Sequence, residues 1–264
     1  MKSINNKILW ITGASSGIGE ALTYLLNTKD CKLIISARRE EELNKVKQQC
    51  NTPENVKILP IDLSDHDKMV LITEKAISLY GKIDVLINNA GISQRSLIKD
   101  TNFEVYKKLI NVNYLGTIAL TKALLPYFIK QKSGNFATIT SLMGKFGSPY
   151  RSGYCGAKHA LHGFFDVLRM EHEKDNINVT LVCPGFIKTD VAKNSLTANG
   201  SKQETEDKAT KNGILPSVLA KKIIHAIETN KFEIYVGKKE ILAVYVKRFF
   251  PKLLHKIILK SEVR

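Results

Sequence analysis

The chain has 264 residues, 44% of them hydrophobic and 25% charged, and a formal net charge of +15. A chain of this length buries roughly 75% of its unfolded surface as one α/β domain, so it needs neither disulfides nor a structural metal. The four cysteines, Cys31, Cys50, Cys155 and Cys183, form no CxxC pair or other metal-ligand spacing. That excludes a zinc module and leads us to expect free thiols in a reducing, cytoplasmic setting, with no metal in the site. No apolar run reaches the 18 or so residues of a membrane span, and no signal peptide is expected ahead of the first strand. The basic charge suits nucleic acid, anionic lipid or an anionic small molecule, but no nucleic-acid-binding motif accompanies it, so nucleic acid is not expected as a partner.

In chain order, Lys7–Thr12 reads as a short strand, followed by a Gly-rich turn and a helix from about Ile18. A second strand, Lys32–Ala37, leads into a charged helix, Glu40–Gln49. A third strand, Val56–Pro60, precedes a helix over Asp65–Tyr80, with Ser64 or Asp65 as its cap. Val85–Ile87 is the fourth strand, and a long helix spans Phe103–Lys130. Asn135–Thr140, the fifth strand, leads to a second long helix, Ser152–Lys174, and to a sixth strand, Asn178–Val182. Residues 185–213 are polar and read as an excursion that acts as a lid. Pro216–Thr229 is a further helix and Phe232–Val236 a seventh strand.

Largely apolar strands alternating with helices predict a parallel sheet covered on both faces, a doubly wound Rossmann-type α/β fold. The expected division is a dinucleotide-binding domain over 1–237, lid included, and a basic amphipathic tail over 238–264. In that tail Leu253, Leu254, Ile257 and Ile258 fall on one helical face, with Lys252, Lys256 and Lys260 near the opposite one.

Thr12-Gly13-Ala14-Ser15-Ser16-Gly17-Ile18-Gly19 follows the first strand and opens a helix. Glycines there let the backbone turn tightly and approach a pyrophosphate, and the helix N-terminus favours negative charge. The end of the second strand should meet the adenosine ribose, where an NAD site usually offers a carboxylate. This chain has Ser36-Ala37-Arg38-Arg39 instead, so Arg38 is placed to pair with a 2′-phosphate, and NADP is favoured over NAD.

With further motifs in the same order, the chain resembles the short-chain dehydrogenase/reductase family over about residues 5–237. These are Asp62-Leu63, the NNAG run Asn88–Gly91, Asn113, Ser141, the YCGAK run Tyr154–Lys158 and the PGFIKT run Pro184–Thr189. The resemblance implies a catalytic set of Asn113, Ser141, Tyr154 and Lys158. Tyr154 and Lys158 are four apart on a predicted helix and share a face. Tyr154 would donate a proton to a carbonyl oxygen, or take one from an alcohol, its phenol acidified by the neighbouring ammonium. Lys158 would also hold the nicotinamide ribose, Ser141 the substrate oxygen, and Asn113 the water of a proton relay.

The family likewise implies cofactor contacts from Gly13, Ser15, Ser16, Gly17, Ile18 and Gly19, and from Arg38 and Arg39 at the ribose. Asp62 and Leu63 would meet the adenine, and Asn88, Ala90 and Gly91 the adenosine side. Pro184, Gly185, Ile187 and Thr189 would surround the nicotinamide, with Tyr154 and Lys158 beside it. His159 and His162 are expected to be packing or surface residues.

The substrate is expected to be a small carbonyl or alcohol, reduced with NADPH, in a pocket walled by Leu142, Met143, Phe146, Tyr150, Phe186 and Val191. Those side chains suit an apolar carbonyl compound. Alternatives are a 3-oxoacyl reductase, a hydroxysteroid-type dehydrogenase, or a non-catalytic dinucleotide-binding sensor or scaffold. A homodimer or homotetramer is expected through the two long helices. For the tail, the readings are a cover over the pocket, a subunit contact, or peripheral attachment to anionic membrane.

Overall fold

In the computed structural model, which describes residues 3–260, β1 (Ile8–Thr12) is buried along its whole length. A strand with no polar face must be covered on both sides, and in a parallel sheet the crossover helices do this. A glycine turn leads into α1 (Gly17–Asn27), then β2 (Lys32–Ser36), α2 (Glu40–Gln48), β3 (Val56–Ile58), α3 (Met69–Ser78) and β4 (Val85–Asn88). The chain continues through α4 (Phe103–Ile110), a π-helical turn (Asn111–Leu115), α5 (Gly116–Gln131), β5 (Gly134–Ile139), α6 (Ser152–Glu171) and β6 (Ile177–Pro184). It ends with α7 (Lys208–Lys211), α8 (Pro216–Glu228), β7 (Glu233–Val236), α9 (Leu242–Phe249) and α10 (Pro251–Lys260).

The seven strands lie in the order β3-β2-β1-β4-β5-β6-β7, and every adjacent pair is parallel. This is the expected doubly wound, single-domain Rossmann-type fold. The winding reverses between β1 and β4, so the crevice at their carboxyl ends is the switch point where such sheets take ligands. Alternate residues of β1 serve opposite faces. Leu9 and Ile11 meet Leu22 and Leu26 of α1 and Ile223 of α8, while Trp10 joins Leu120 and Leu124 of α5 and Phe165 of α6. The buried indole keeps a partner, donating to Ser36 Oγ at 2.8 Å.

Several expected boundaries change. The helix over Phe103–Lys130 is interrupted by the π turn at Asn111–Leu115, a feature with no marker in side-chain periodicity. The helix from Ser152 ends at Glu171, and the following turn closes on Asn176 at φ +56°. The helix expected from Asp65 starts as a short 3-10 turn at His66–Lys68, and α3 proper begins at Met69. Neither proposed cap acts as one. Ser64 Oγ donates to Asp62 Oδ1 at 2.7 Å, and Asp65 pairs with Lys68 at 2.7 Å.

The tail folds back over the carboxyl edge of the sheet. Leu254, Val246 and Ile258 pack against Leu142 and Phe146, Ile257 is partly exposed but still lines the cavity, and Leu253 is exposed. The apolar stripe read in sequence therefore turns inward except at Leu253. The ends of the expected spans, residues 1–2 and 261–264, lie outside the described residues. Among the described residues no helix is long and apolar enough to cross a membrane.

Candidate active site

Beyond β1 the backbone turns sharply, with Gly13 at φ +64° and Gly17 at φ +59°. Such left-handed conformations strain any residue with a side chain. Space also excludes one: a Cβ on Gly13 would stand 2.7 Å from Ala90 Cα, and one on Gly17 would stand 3.0 Å from Thr189 Cγ2. The turn after β1 thus lies directly against the segments that follow β4 and β6.

Hydrogen bonds lock this arrangement. Thr12 Oγ1 accepts from the amides of Asn89 (3.0 Å) and Ala90 (3.1 Å), and Asn89 Nδ2 donates to the carbonyls of Thr12 (3.0 Å) and Gly13 (3.1 Å). Asn88 is turned into the protein, where its Nδ2 faces Thr121 and Thr138. Of the two asparagines, Asn89 is the one that pins the glycine turn. Ser16 precedes α1, and its side chain makes no cap bond to the first helical amides. Ser15, Gly17, Ile18 and Gly19 complete the turn, a cradle of backbone N–H groups suited to a pyrophosphate.

At the end of β2, Arg38 and Arg39 are exposed. Burial raises the pKa of the nearby Asp62, but hydrogen bonds from Ser64 and the charges of Arg38 and Lys108 outweigh it and hold the carboxyl below its usual value. Leu63 is buried beside it. The glycines, the α1 amides and Arg38 offer donors, and the Asp62 carboxylate an acceptor, in an arrangement that fits a dinucleotide.

Ser141, Tyr154 and Lys158 all line one cavity of about 630 Å³, as do Ile18, Gly91, Pro184, Gly185, Ile187 and Thr189. Lys158 Nζ donates to Ile139 O at 2.8 Å and lies 5.8 Å from the centroid of the Tyr154 ring. Burial pulls its pKa down to about 8. The Tyr154 phenol is shifted upward by burial, against a hydrogen bond with the Ser141 hydroxyl that favours phenolate. A phenol in this setting is a proton donor near neutral pH. Asn113 is fully buried on the π turn, and its side chain is clamped to Ile92. Oδ1 accepts from Ile92 N and Nδ2 donates to Ile92 O, both at 2.8 Å. Both ends of the amide thus hold the segment after β4 beside Lys158; a Cβ on Gly91 would lie 3.0 Å from Asn113 Oδ1 and 3.6 Å from Lys158 Nζ.

Leu142, Met143, Phe146, Phe186 and Val191 line the same cavity, as expected from sequence. Tyr150 does not. Its backbone sits at φ +67°, and it borders a separate cavity of about 500 Å³ with Arg95 and Asp207. Of the readings open for the tail, the cover over the pocket is the one seen: Leu242, Ala243 and Val246 of α9 and Leu254 and Ile258 of α10 form its roof. One feature was not legible in the sequence, a buried trio, Arg95, Arg151 and Asp207, in which Arg95 Nη2 lies 2.6 Å from Asp207 Oδ2. No local pattern marks a pair 112 residues apart, and an isolated arginine reads as a surface charge.

His162 is buried beneath this site, and His159 is exposed with Nδ1 2.8 Å from Cys155 O. His162 presents Nδ1 to Glu233 Oε2 at 3.2 Å and Nε2 to Cys183 Sγ at 3.9 Å. Opposite ring nitrogens cannot serve one ion, so these two contacts do not make a chelate. The buried Cys183 thiol is pushed up to about 12 by burial and is no nucleophile.

The family model for short chain dehydrogenases matches residues 7–200. The chain is similar to human "Dehydrogenase/reductase SDR family member 7", with 37% identity over 255 residues, 94% of this chain and 75% of that one. Among solved structures, a short-chain dehydrogenase/reductase from Burkholderia phymatum in complex with NAD superposes with a TM-score of 0.85 at 20% identity, covering 96% of each chain. ElxO with NADP bound gives a TM-score of 0.75 at 25% identity, over 88% of this chain and 97% of that one. A glycine cradle at the switch point, a serine, tyrosine and lysine at one cavity, and sequence likeness over nearly the whole chain agree: the chain belongs to the short-chain dehydrogenase/reductase family of oxidoreductases.

Proposed function

We propose that this enzyme uses NADPH to reduce an apolar carbonyl compound, with Tyr154 as the proton donor. The observation that carries this reading is the convergence of Ser141, Tyr154 and Lys158 on a largely apolar cavity that reaches the glycine turn. When bound, the nicotinamide supplies hydride to the carbonyl carbon. Tyr154 gives its proton to the carbonyl oxygen, and Ser141 holds that oxygen in place. Lys158, kept in position by the Ile139 carbonyl, brings a positive charge to the phenol as it becomes phenolate. The roof of α9 and α10 excludes water from the reacting atoms. A screen of apolar ketones and aldehydes with both cofactors tests the reading. NADPH oxidation by at least one class supports it; no turnover across the panel, or faster turnover with NADH, overturns it.

Arg38 supports the cofactor choice, since the fold itself accepts either nucleotide in the neighbours described above. A charge-assisted contact contributes about 1.5–3 kcal/mol. Arg38→Asp should therefore lower the ratio of kcat/KM for NADPH over NADH by roughly 10- to 150-fold. An unchanged ratio would show that the 2′-phosphate is read elsewhere.

We further propose that the outer side of α9 and α10 makes peripheral contact with anionic membrane. Tyr245, Phe249, Phe250 and Leu253 are exposed there, and residues 241–260 carry Lys247, Arg248, Lys252, Lys256 and Lys260 with no acidic residue. Aromatic bulk with a cationic rim is the composition of an interfacial surface. Phe249→Ser/Phe250→Ser should reduce co-sedimentation with phosphatidylserine-containing vesicles several-fold. Equal sedimentation of the native and substituted proteins would remove the idea.

A further inference from the structure

Arg95, Arg151 and Asp207 come from three separate segments: the loop after β4, the residue before α6 and the polar excursion after β6. Their side chains are only 4%, 5% and 2% exposed. Asp207 Oδ2 accepts from Arg95 Nε at 2.8 Å and Nη2 at 2.6 Å, and from Arg151 Nη2 at 3.5 Å; Oδ1 accepts from Gln203 Nε2 at 3.1 Å. Charges buried to this degree act through a medium that screens them far less than water. Arg95 and Arg151 both line the cavity that holds Tyr154.

Their placement relative to the phenol is set by backbone clamps. Gln94, next to Arg95, accepts through Oε1 from the amides of Gly153 (2.8 Å) and Tyr154 (3.4 Å). The Arg151 carbonyl accepts from Cys155 N at 2.7 Å. Arg151 therefore sits one turn below Tyr154, and Arg95 is tied to that same first turn of α6.

We propose that Arg95 and Arg151 are positioning residues for proton transfer: their buried charges favour the phenolate form of Tyr154, and Asp207 acts in the opposite sense. The proposal rests on Tyr154 being the proton-transfer group. Around that phenol, burial raises the pKa; the Ser141 hydroxyl lowers it, the Cys155 thiol raises it, and the charges of Arg95 and Arg151 lower it. Lys158 faces the ring from the next turn of α6. Arg151 is itself pulled down to about 10 by burial and by Arg95, and so remains cationic at neutral pH. Burial raises the pKa of Asp207, but Arg95, Gln203 and Arg151 more than offset this, and the carboxyl stays ionised.

A unit charge within about 10 Å, at an effective dielectric near 20, should displace the phenol's titration by on the order of one pH unit. The test is a fluorine NMR pH titration of the full chain substituted with 3-fluorotyrosine, whose more acidic phenol brings the transition into range. Tyr154→Phe assigns the signal. Arg151→Gln should raise the Tyr154 midpoint, Asp207→Asn should lower it, and Arg151→Lys, which keeps the charge, should leave it near the native value. Opposite shifts from opposite charges cannot come from general loosening of the fold. If Arg151→Gln does not fold, Arg95→Gln must give the same upward shift, and Asp207→Asn must still move the midpoint down. Shifts in one common direction, or none in either variant, overturn the proposal. No substrate or cofactor is present in this titration, so its failure and that of the carbonyl-reductase reading are separately visible.

Discussion

Tyr154→Phe is expected to lower kcat/KM for carbonyl reduction by roughly 10²–10⁴-fold, the range that general acid catalysis supplies. The phenylalanine ring fills the same space against Lys158, whose ammonium lies 5.8 Å from the ring centroid, so the cavity wall is retained and only the transferable proton is lost. Affinity for NADPH, measured by fluorescence titration, should stay within about 3-fold of the native value, since the nucleotide cradle is built from the glycine turn and the end of β2. Loss of binding together with rate would mean that the substitution had damaged the cradle. Unchanged turnover would remove Tyr154 from the chemistry, and with it the enzymatic reading.

Asp207→Ala should produce the largest loss of stability. It deletes a carboxylate that is 2% exposed and leaves two guanidiniums, 4% and 5% exposed, without their shared anion. Breaking a buried pair on one side costs about 3–5 kcal/mol, because the remaining charge stays desolvated. For a chain of this length that corresponds to a fall in Tm of about 10 °C, readable by calorimetry. The exposed Lys107–Glu104 pair is the control: its side chains are 54% and 78% exposed, and Glu104→Ala should not move the midpoint measurably. Equal small effects from both substitutions would show that water reaches the trio. Asp207 also ties the excursion after β6 to the rest of the site, so its loss should raise hydrogen exchange over residues 185–213 first.

Much of the fold was legible because its signals are local. Apolar strands such as Leu33–Ile35 alternate with amphipathic helices, and glycines at 13 and 17 announce backbone turns that other residues resist. The four-residue spacing of Tyr154 and Lys158 implies a shared helical face before any coordinate is seen. Other features depended on partners distant in the chain. The π turn at Asn111–Leu115 is held by Asn113 gripping Ile92, 21 residues earlier, and nothing in the helical period marks it. The expected caps at Ser64 and Asp65 failed because neighbours competed for those side chains: Asp62 took Ser64, and Lys68 took Asp65.

The amino-acid sequence alone determined the order of strands and helices and the glycine cradle, because each is written in spacing over a few residues, while the serine, tyrosine and lysine of the site followed from its resemblance to the family. Tertiary structure alone decided that α9 and α10 roof the cavity, that Tyr150 faces away from it and that two arginines are buried on one aspartate. These depend on which surfaces meet when the chain closes, and burial turns a surface charge into a strong field only after that meeting.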